Sequence, residues 1–160
     1  MKILIANRGE IARRVIATAH RLGHTTVAVF ADPDADAPFV AEATAAMRIG
    51  PAALSESYLS VPRLLDAAAR AGADAIHSGY GFLSENAPFA RAVIDAGLVW
   101  VGPSPAAIDA MGSKIDARQL ATAAGVPVIP GYDTSQADDD LRDAARAIGY
   151  PILVKAAAGG

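Results

Sequence analysis

Lys155 closes an apolar run, YPILVK (residues 150–155), and is followed by three alanines and Gly159-Gly160. A lysine beside glycine-freed backbone amides is one way to hold phosphate, because positive charge and N–H donors converge. Taken alone, K-A-A-A-G-G is a weak pattern. Lys114, in MGSK, reads alone as an ordinary surface lysine. The stretch SGYGFLSEN (78–86) says more. Gly79 and Gly81 flank Tyr80, and such a turn can present an aromatic ring and bare amides to a ligand. Glu85 and Asn86 stand at a helix start, where capping is the simpler role. His77 ends an apolar segment and reads first as a satisfied core histidine. In Asn7-Arg8-Gly9-Glu10 the glycine permits a turn and Glu10 suits a first helical turn. Arg8 and Arg14 are either solvated charges or faces toward a neighbouring domain.

Several chemistries are disfavoured. Dinucleotide binding needs G-x-G-x-x-G straight after a strand. The first loop offers only Gly9, and Ser84 stands where the later loop would need its third glycine. The pattern G-x-x-x-x-G-K-[ST] is absent, and so is cysteine, which removes disulfides and thiolate metal sites. The 160 residues carry 14 basic and 17 acidic side chains, net charge −3, without a basic cluster. Nucleic acid is not an expected partner, since phosphate neutralisation needs grouped Lys and Arg. No apolar run approaches the ~18–20 residues of a membrane span. A soluble, cytoplasmic protein is expected, with 52% hydrophobic residues for its core.

The elements that must position these residues alternate. Lys2–Ala6 (KILIA) is a continuous apolar run suited to a strand buried on both faces. A helix follows over Glu10–Leu22, with Ile11, Val15, Ile16, Ala19 and Leu22 on one face and Gly23 after it. Strands are expected at Thr26–Phe30, Met47–Ile49, Ala75–His77 and Val99–Val101. Helices are expected at Pro38–Ala43, from Pro62 to Gly72, and at Asn86–Ala96 with Phe89, Val93 and Ile94 inward. This rhythm predicts an α/β fold with a doubly wound parallel sheet, whose ligands lie beyond the carboxyl ends of its strands. The two polar loops, 7–10 and 78–86, leave those ends. The character changes at Gly102-Pro103, where a domain boundary is placed: 1–102 and 103–160. Beyond it come helices capped by Ser104 and Ser113, the VPVIPG segment (126–131), which reads as an edge or linker with a short strand between its prolines, a helix opened by Asp138, Asp139 and Asp140, and a last strand at Tyr150–Lys155.

Taken in order, IANRGEIA, HSGYGFLSENAPFA, VGPS, MGSK, GVPVIPG and YPILVKAAAGG resemble the biotin carboxylase family from Ile5 to Gly160. The resemblance implies a Rossmann-like pre-ATP-grasp domain followed by the beginning of an ATP-grasp domain. The family pattern runs on into further glycines, so the chain reads as the N-terminal part of a larger enzyme, an ATP-dependent ligase. The implied activity is carboxylation of biotin on a carrier protein, using ATP and bicarbonate, within an acyl-CoA carboxylase. ATP would be bound by Lys114, Lys155, Gly159 and Gly160. Tyr80 and Gly81 would line the biotin side. Arg14 and Glu85 would lie near a domain junction. Mg2+ or Mn2+ would be held by residues outside this stretch, which contains neither the catalytic base nor the metal ligands, so that the stretch alone is expected to be inactive.

The same resemblance implies a biotin carboxyl carrier domain and a carboxyltransferase subunit as partners. Three departures stand out. The family's HPGYG has Ser78 in place of proline, which frees one φ. Its MGDK has Ser113. Dimeric members carry an Arg and, four residues on, a Glu on the first helix; here these are Ala17 and Arg21, so a homodimer is not expected through that pair. Pyruvate and urea carboxylases share every motif quoted and remain alternatives. So does a short, non-catalytic partner-binding module.

Overall fold

The computed structural model describes residues 1–155. The chain divides into two compact units, Met1–Ile108 and one that begins at Asp109. The first is a three-layer α/β domain. Strands β1 (Lys2–Ile5), β2 (Thr25–Ala31), β3 (Ala45–Gly50), β4 (Ala75–His77) and β5 (Val99–Val101) form one sheet. It is parallel throughout, in the order β3-β2-β1-β4-β5. The chain builds outward from β1 to β3, then crosses back to lay β4 on the other side of β1. Ile5 is level with Ala28 on β2 and His77 on β4. The sheet order therefore reverses between β1 and β4, and their loops emerge side by side.

Helices α1 (Gly9–Arg21) and α2 (Pro38–Glu42) follow β1 and β2, while α3 (Val61–Ala71) and α4 (Ala87–Asp95) follow β3 and β4. One core cluster joins Ile5, Ala28, Ile16 and Phe39. A larger one joins Leu4, Val27, Ile76, Leu64, Phe89 and Val93. Alternate residues of β1 thus feed opposite clusters, as the two-residue period of a strand requires. Both faces of the central strands are buried, which is why KILIA is apolar without alternation. Asn86 caps α4 by accepting from the Phe89 amide at 2.8 Å.

Two inward faces differ from expectation. On α1 the fully buried stripe is Ala12, Ile16 and Ala19, while Ile11 and Val15 are half-buried and Leu22 is 68% exposed. Ile16 and Ala19 are inward as expected, but the centre of the stripe is turned toward Ala12 and away from Leu22, by about half of the 100° between successive residues, because small Ala12 and Ala19 allow the backbone close to the sheet. Ile94 on α4 is 48% exposed. Phe89 and Val93, four apart, already define the buried line, and the next residue points about 100° away from it.

Helix α5 (Pro105–Gly112) begins in the first unit. Its Ile108 packs with Ala87, Ala90 and Trp100, which explains why that unit extends to Ile108. Ser104 Oγ accepts from the Ala107 amide at 3.2 Å. The second unit contains α6 (Lys114–Ala123) and α7 (Asp138–Ile148). Two expected strands are not strands. Residues 126–131 are irregular; Arg118 donates to the carbonyls of Ile129 (2.6 Å) and Gly131 (3.3 Å), taking the acceptors that a ladder would use. Residues 150–155 are likewise irregular. A strand needs a neighbour to pair with, and no described segment pairs with this one. Among the described residues no helix is long and apolar enough to cross a membrane.

Candidate functional site

The site grows out of the reversal between β1 and β4. Asn7 follows β1 and is 1% exposed. Its Nδ2 donates to the carbonyls of Ser78 and Tyr80, both at 2.8 Å, and its Oδ1 accepts from the Arg8 amide at 2.9 Å. One buried amide side chain thus ties the first loop to the second. It satisfies carbonyls that would otherwise be buried without partners, at a cost of about 1–3 kcal/mol each. From the β4 side, His77 Nδ1 accepts from the Gly79 amide at 2.9 Å. Burial lowers the His77 pKa, in the same sense as the acceptor role of Nδ1. His77 thus helps to organise the loop locally.

The backbone from 79 to 82 is unusual. Gly79, Gly81 and Phe82 have φ of +67°, +70° and +45°. At Gly79 a Cβ would sit 2.6 Å from Ile11 Cγ2 and 2.9 Å from Asn7 Nδ2, so only glycine lets the two loops meet this closely. At Gly81 a Cβ would meet open space. Phe82 is a bulky residue in the left-handed region, which costs about 1–2 kcal/mol. Its ring stacks on Tyr58 at 5.3 Å and 11°. The Arg8 guanidinium lies 5.5 Å from the Tyr58 centroid and 5.7 Å from that of Phe82. Ring stacking and cation–π contacts contribute about 0.5–1.5 and 0.5–1 kcal/mol respectively, enough to offset the strain. Tyr58 is anchored in turn: its hydroxyl donates to Asp34 at 2.7 Å and accepts from the Ala31 amide at 3.2 Å. Burial and the Asp34 carboxylate push its pKa up.

Tyr80 stands between these anchors, 53% exposed. Its hydroxyl donates to Glu10 Oε1. Hydrogen bonding to Glu10, then desolvation and the Glu10 charge, raise the Tyr80 pKa, while Arg14 acts in the opposite sense. Tyr80, Gly79, His77 and Arg14 also line an open groove of about 670 Å³ between α1 and the β4–β5 edge. Its walls are mainly apolar, from Ile3, Ile11, Val15, Val99 and Val101.

The structure therefore brings Tyr80, Gly81 and Arg14 into one region of the first unit. Glu85 is exposed in the same loop. Lys114 opens α6 of the second unit, exposed, beyond a Ser113 cap that accepts from the Asp116 amide at 3.3 Å. Lys155 is exposed in irregular chain. Gly159 and Gly160 lie outside the described residues. Sequence reasoning missed Asn7, Glu10, Tyr58 and Asp34. Asn7 had a signal, a polar residue directly after a two-faced buried strand. Tyr58 and Asp34 had none, because only the folded chain brings them to Arg8 and Phe82.

Residues 1–108 match the family described as "Biotin carboxylase, N-terminal domain". The chain belongs to the biotin carboxylase family. Residues 113–160 match "Carbamoyl-phosphate synthase L chain, ATP binding domain". The chain is 52% identical to the biotin carboxylase of Halalkalibacterium halodurans over 99% of its own length and 35% of that protein. It is also 52% identical to the biotin-dependent acyl-coenzyme A carboxylase alpha3 subunit of Mycobacterium leprae, covering 99% of itself and 27% of the relative. Among solved structures, it is similar to the biotin carboxylase domain dimer of the Hydrogenobacter thermophilus 2-oxoglutarate carboxylase, in complex with MgADP, ADP and bicarbonate. The TM-score is 0.88 at 44% identity, covering 99% of this chain and 35% of that one. The chain thus spans about a third of the length of the curated relatives it matches.

Proposed function

We propose that this chain is the N-terminal part of a biotin carboxylase that uses ATP and bicarbonate to carboxylate biotin on a carrier protein, within an acyl-CoA carboxylase. The observation that carries the reading is identity of about half the residues, over nearly the whole chain, with proteins named for that activity. The built loop at 78–82 supports it, since a fold that accepts left-handed backbone at a bulky residue is holding that loop for use.

Under this reading Tyr80 and Gly81 face the biotin side, with Arg14 and Glu85 nearer a domain junction. Lys114 and Lys155, both exposed cations, offset charge on the ATP phosphates, with Gly159 and Gly160 supplying amides. Among the described residues there is no group of three or more His, Asp or Glu that could hold a metal ion; Mg2+ or Mn2+ would be held by residues outside this stretch. The carrier domain and a carboxyltransferase subunit are the proposed partners. A homodimer of the full-length enzyme, if formed, uses contacts other than a pair at Ala17 and Arg21.

The test is ADP formation dependent on free biotin and bicarbonate, by the full-length chain and by residues 1–160. Turnover is expected from the first and none from the second. Lys155→Gln in the full-length chain should lower kcat/KM for ATP at least about tenfold, as loss of one preorganised charge does. Turnover by residues 1–160, or an indifferent Lys155→Gln, overturns the reading.

A further inference from the structure

We infer that Glu10 is a positioning residue for the biotin-side aromatic: its carboxylate holds the Tyr80 hydroxyl and so fixes the direction of the ring. The inference rests on the reading that Tyr80 faces biotin, and extends it to a residue whose sequence context suggests only a helix start.

The backbone around Tyr80 is determined from several directions. Asn7 binds the carbonyls of residues 78 and 80, His77 binds the amide of residue 79, and the Phe82 ring stacks on Tyr58 with Arg8 beside both rings. None of these contacts fixes the Tyr80 side chain, which is 53% exposed. An exposed tyrosine ordinarily samples several χ1 rotamers, each well within reach of thermal energy. Glu10 Oε1 removes that freedom by accepting from the hydroxyl. Glu10 is itself placed by the second helical residue of α1, and α1 is fixed by the same turn that carries Asn7. The two loops are thus joined twice, by Asn7 at the backbone and by Glu10 at the ring tip.

Glu10 and Arg14 both hydrogen-bond the phenol, Glu10 raising its pKa and Arg14 lowering it; His77 lines the same groove, and Arg13 and Glu42 line the hollow beside Glu10. Glu10 also sits in the first turn of α1, where a carboxylate is favoured by the helix dipole. A carboxylate is a stronger, charge-assisted acceptor for a phenol O–H than a neutral group.

Two sets of measurements separate this inference from the function it rests on. In residues 1–160, ultraviolet titration as a difference against Tyr80→Phe isolates the one phenol. Glu10→Ala should move its ionisation to lower pH, toward that of an ordinary tyrosine; an unchanged midpoint overturns the contact. In the full-length enzyme, Glu10→Ala should raise KM for free biotin about three- to tenfold, as loss of one charge-assisted hydrogen bond does, with KM for ATP unchanged. Tyr80→Phe removes the same bond from the other side, together with the Arg14 contact, so it should cost at least as much as Glu10→Ala, and the double variant should add nothing beyond Tyr80→Phe. Glu10→Gln, which keeps an acceptor, should recover part of the loss. Tyr80→Ala tests the underlying reading. If it leaves biotin KM unchanged, Tyr80 does not face biotin. If it raises KM while Glu10→Ala and Tyr80→Phe do not, the functional reading stands and the positioning role of Glu10 is refuted.

Discussion

The two units of this chain put their helices to different ends. In Met1–Ile108 the helices close on a parallel sheet, and large side chains such as Leu4, Tyr58, Phe89 and Val93 are sealed from solvent. From Asp109 to Lys155 the only buried hydrophobic residue is Ala145, at 9% exposure, while Leu120, Ile129, Leu153 and Val154 are 51%, 84%, 78% and 86% exposed. Apolar burial contributes about 25 cal/mol per Å², so the first unit has a driving force the second lacks. The ordered loops of the first unit depend on this. A strained backbone at Phe82 persists only where surrounding packing over-determines it.

Core truncation should break the comparison most visibly. Phe89 is fully buried and meets Trp100 edge-on at 5.4 Å. Phe89→Ala should destabilise the first unit by about 3–5 kcal/mol, transfer and cavity costs together. Leu141→Ala, at a side chain 39% exposed on α7, should change the urea midpoint of the main transition by no more than about 0.5 kcal/mol equivalent. A comparable loss from both would mean that the two units share one core.

A smaller effect sharpens the account within the first unit. Gly79→Ala and Gly81→Ala impose the same left-handed backbone cost, about 1–2 kcal/mol. Only Gly79→Ala also forces a Cβ against Ile11 and Asn7, adding about 1–3 kcal/mol of overpacking. Gly79→Ala should therefore be clearly the more destabilising in chemical denaturation. Equal effects would show that the approach between the loops is not tight.

Much of the fold was legible because its signals are local. Continuous apolar runs such as KILIA and TVAVF mark strands buried on two faces. Pro62, Gly72 and Asn86 mark helix ends, and the alternation implies the parallel sheet. The inward face of α1 was less legible, since alanine carries no strong signal: Ala12 is buried where Leu22 is not only because small residues let the helix approach. The irregular course of 126–131 was hidden because Arg118, distant in sequence, takes its carbonyls. In the site, Gly79 and Gly81 announced the turn around Tyr80, and the NRGE segment announced a turn of its own. That Asn7 and Glu10 serve the other loop follows only from the crossing of β4 to the far side of β1.

Native-state hydrogen exchange on residues 1–160 tests the central claim most directly, because it reads the stability of each segment separately. Amides of β1, β2 and β4, and the Gly79 amide bonded to His77, should exchange only through global opening of the first unit. Amides of α6 and α7 should exchange by local opening, orders of magnitude faster. Equal, strong protection in both units would contradict the account, as would a Gly79 amide that exchanges as fast as those of α7.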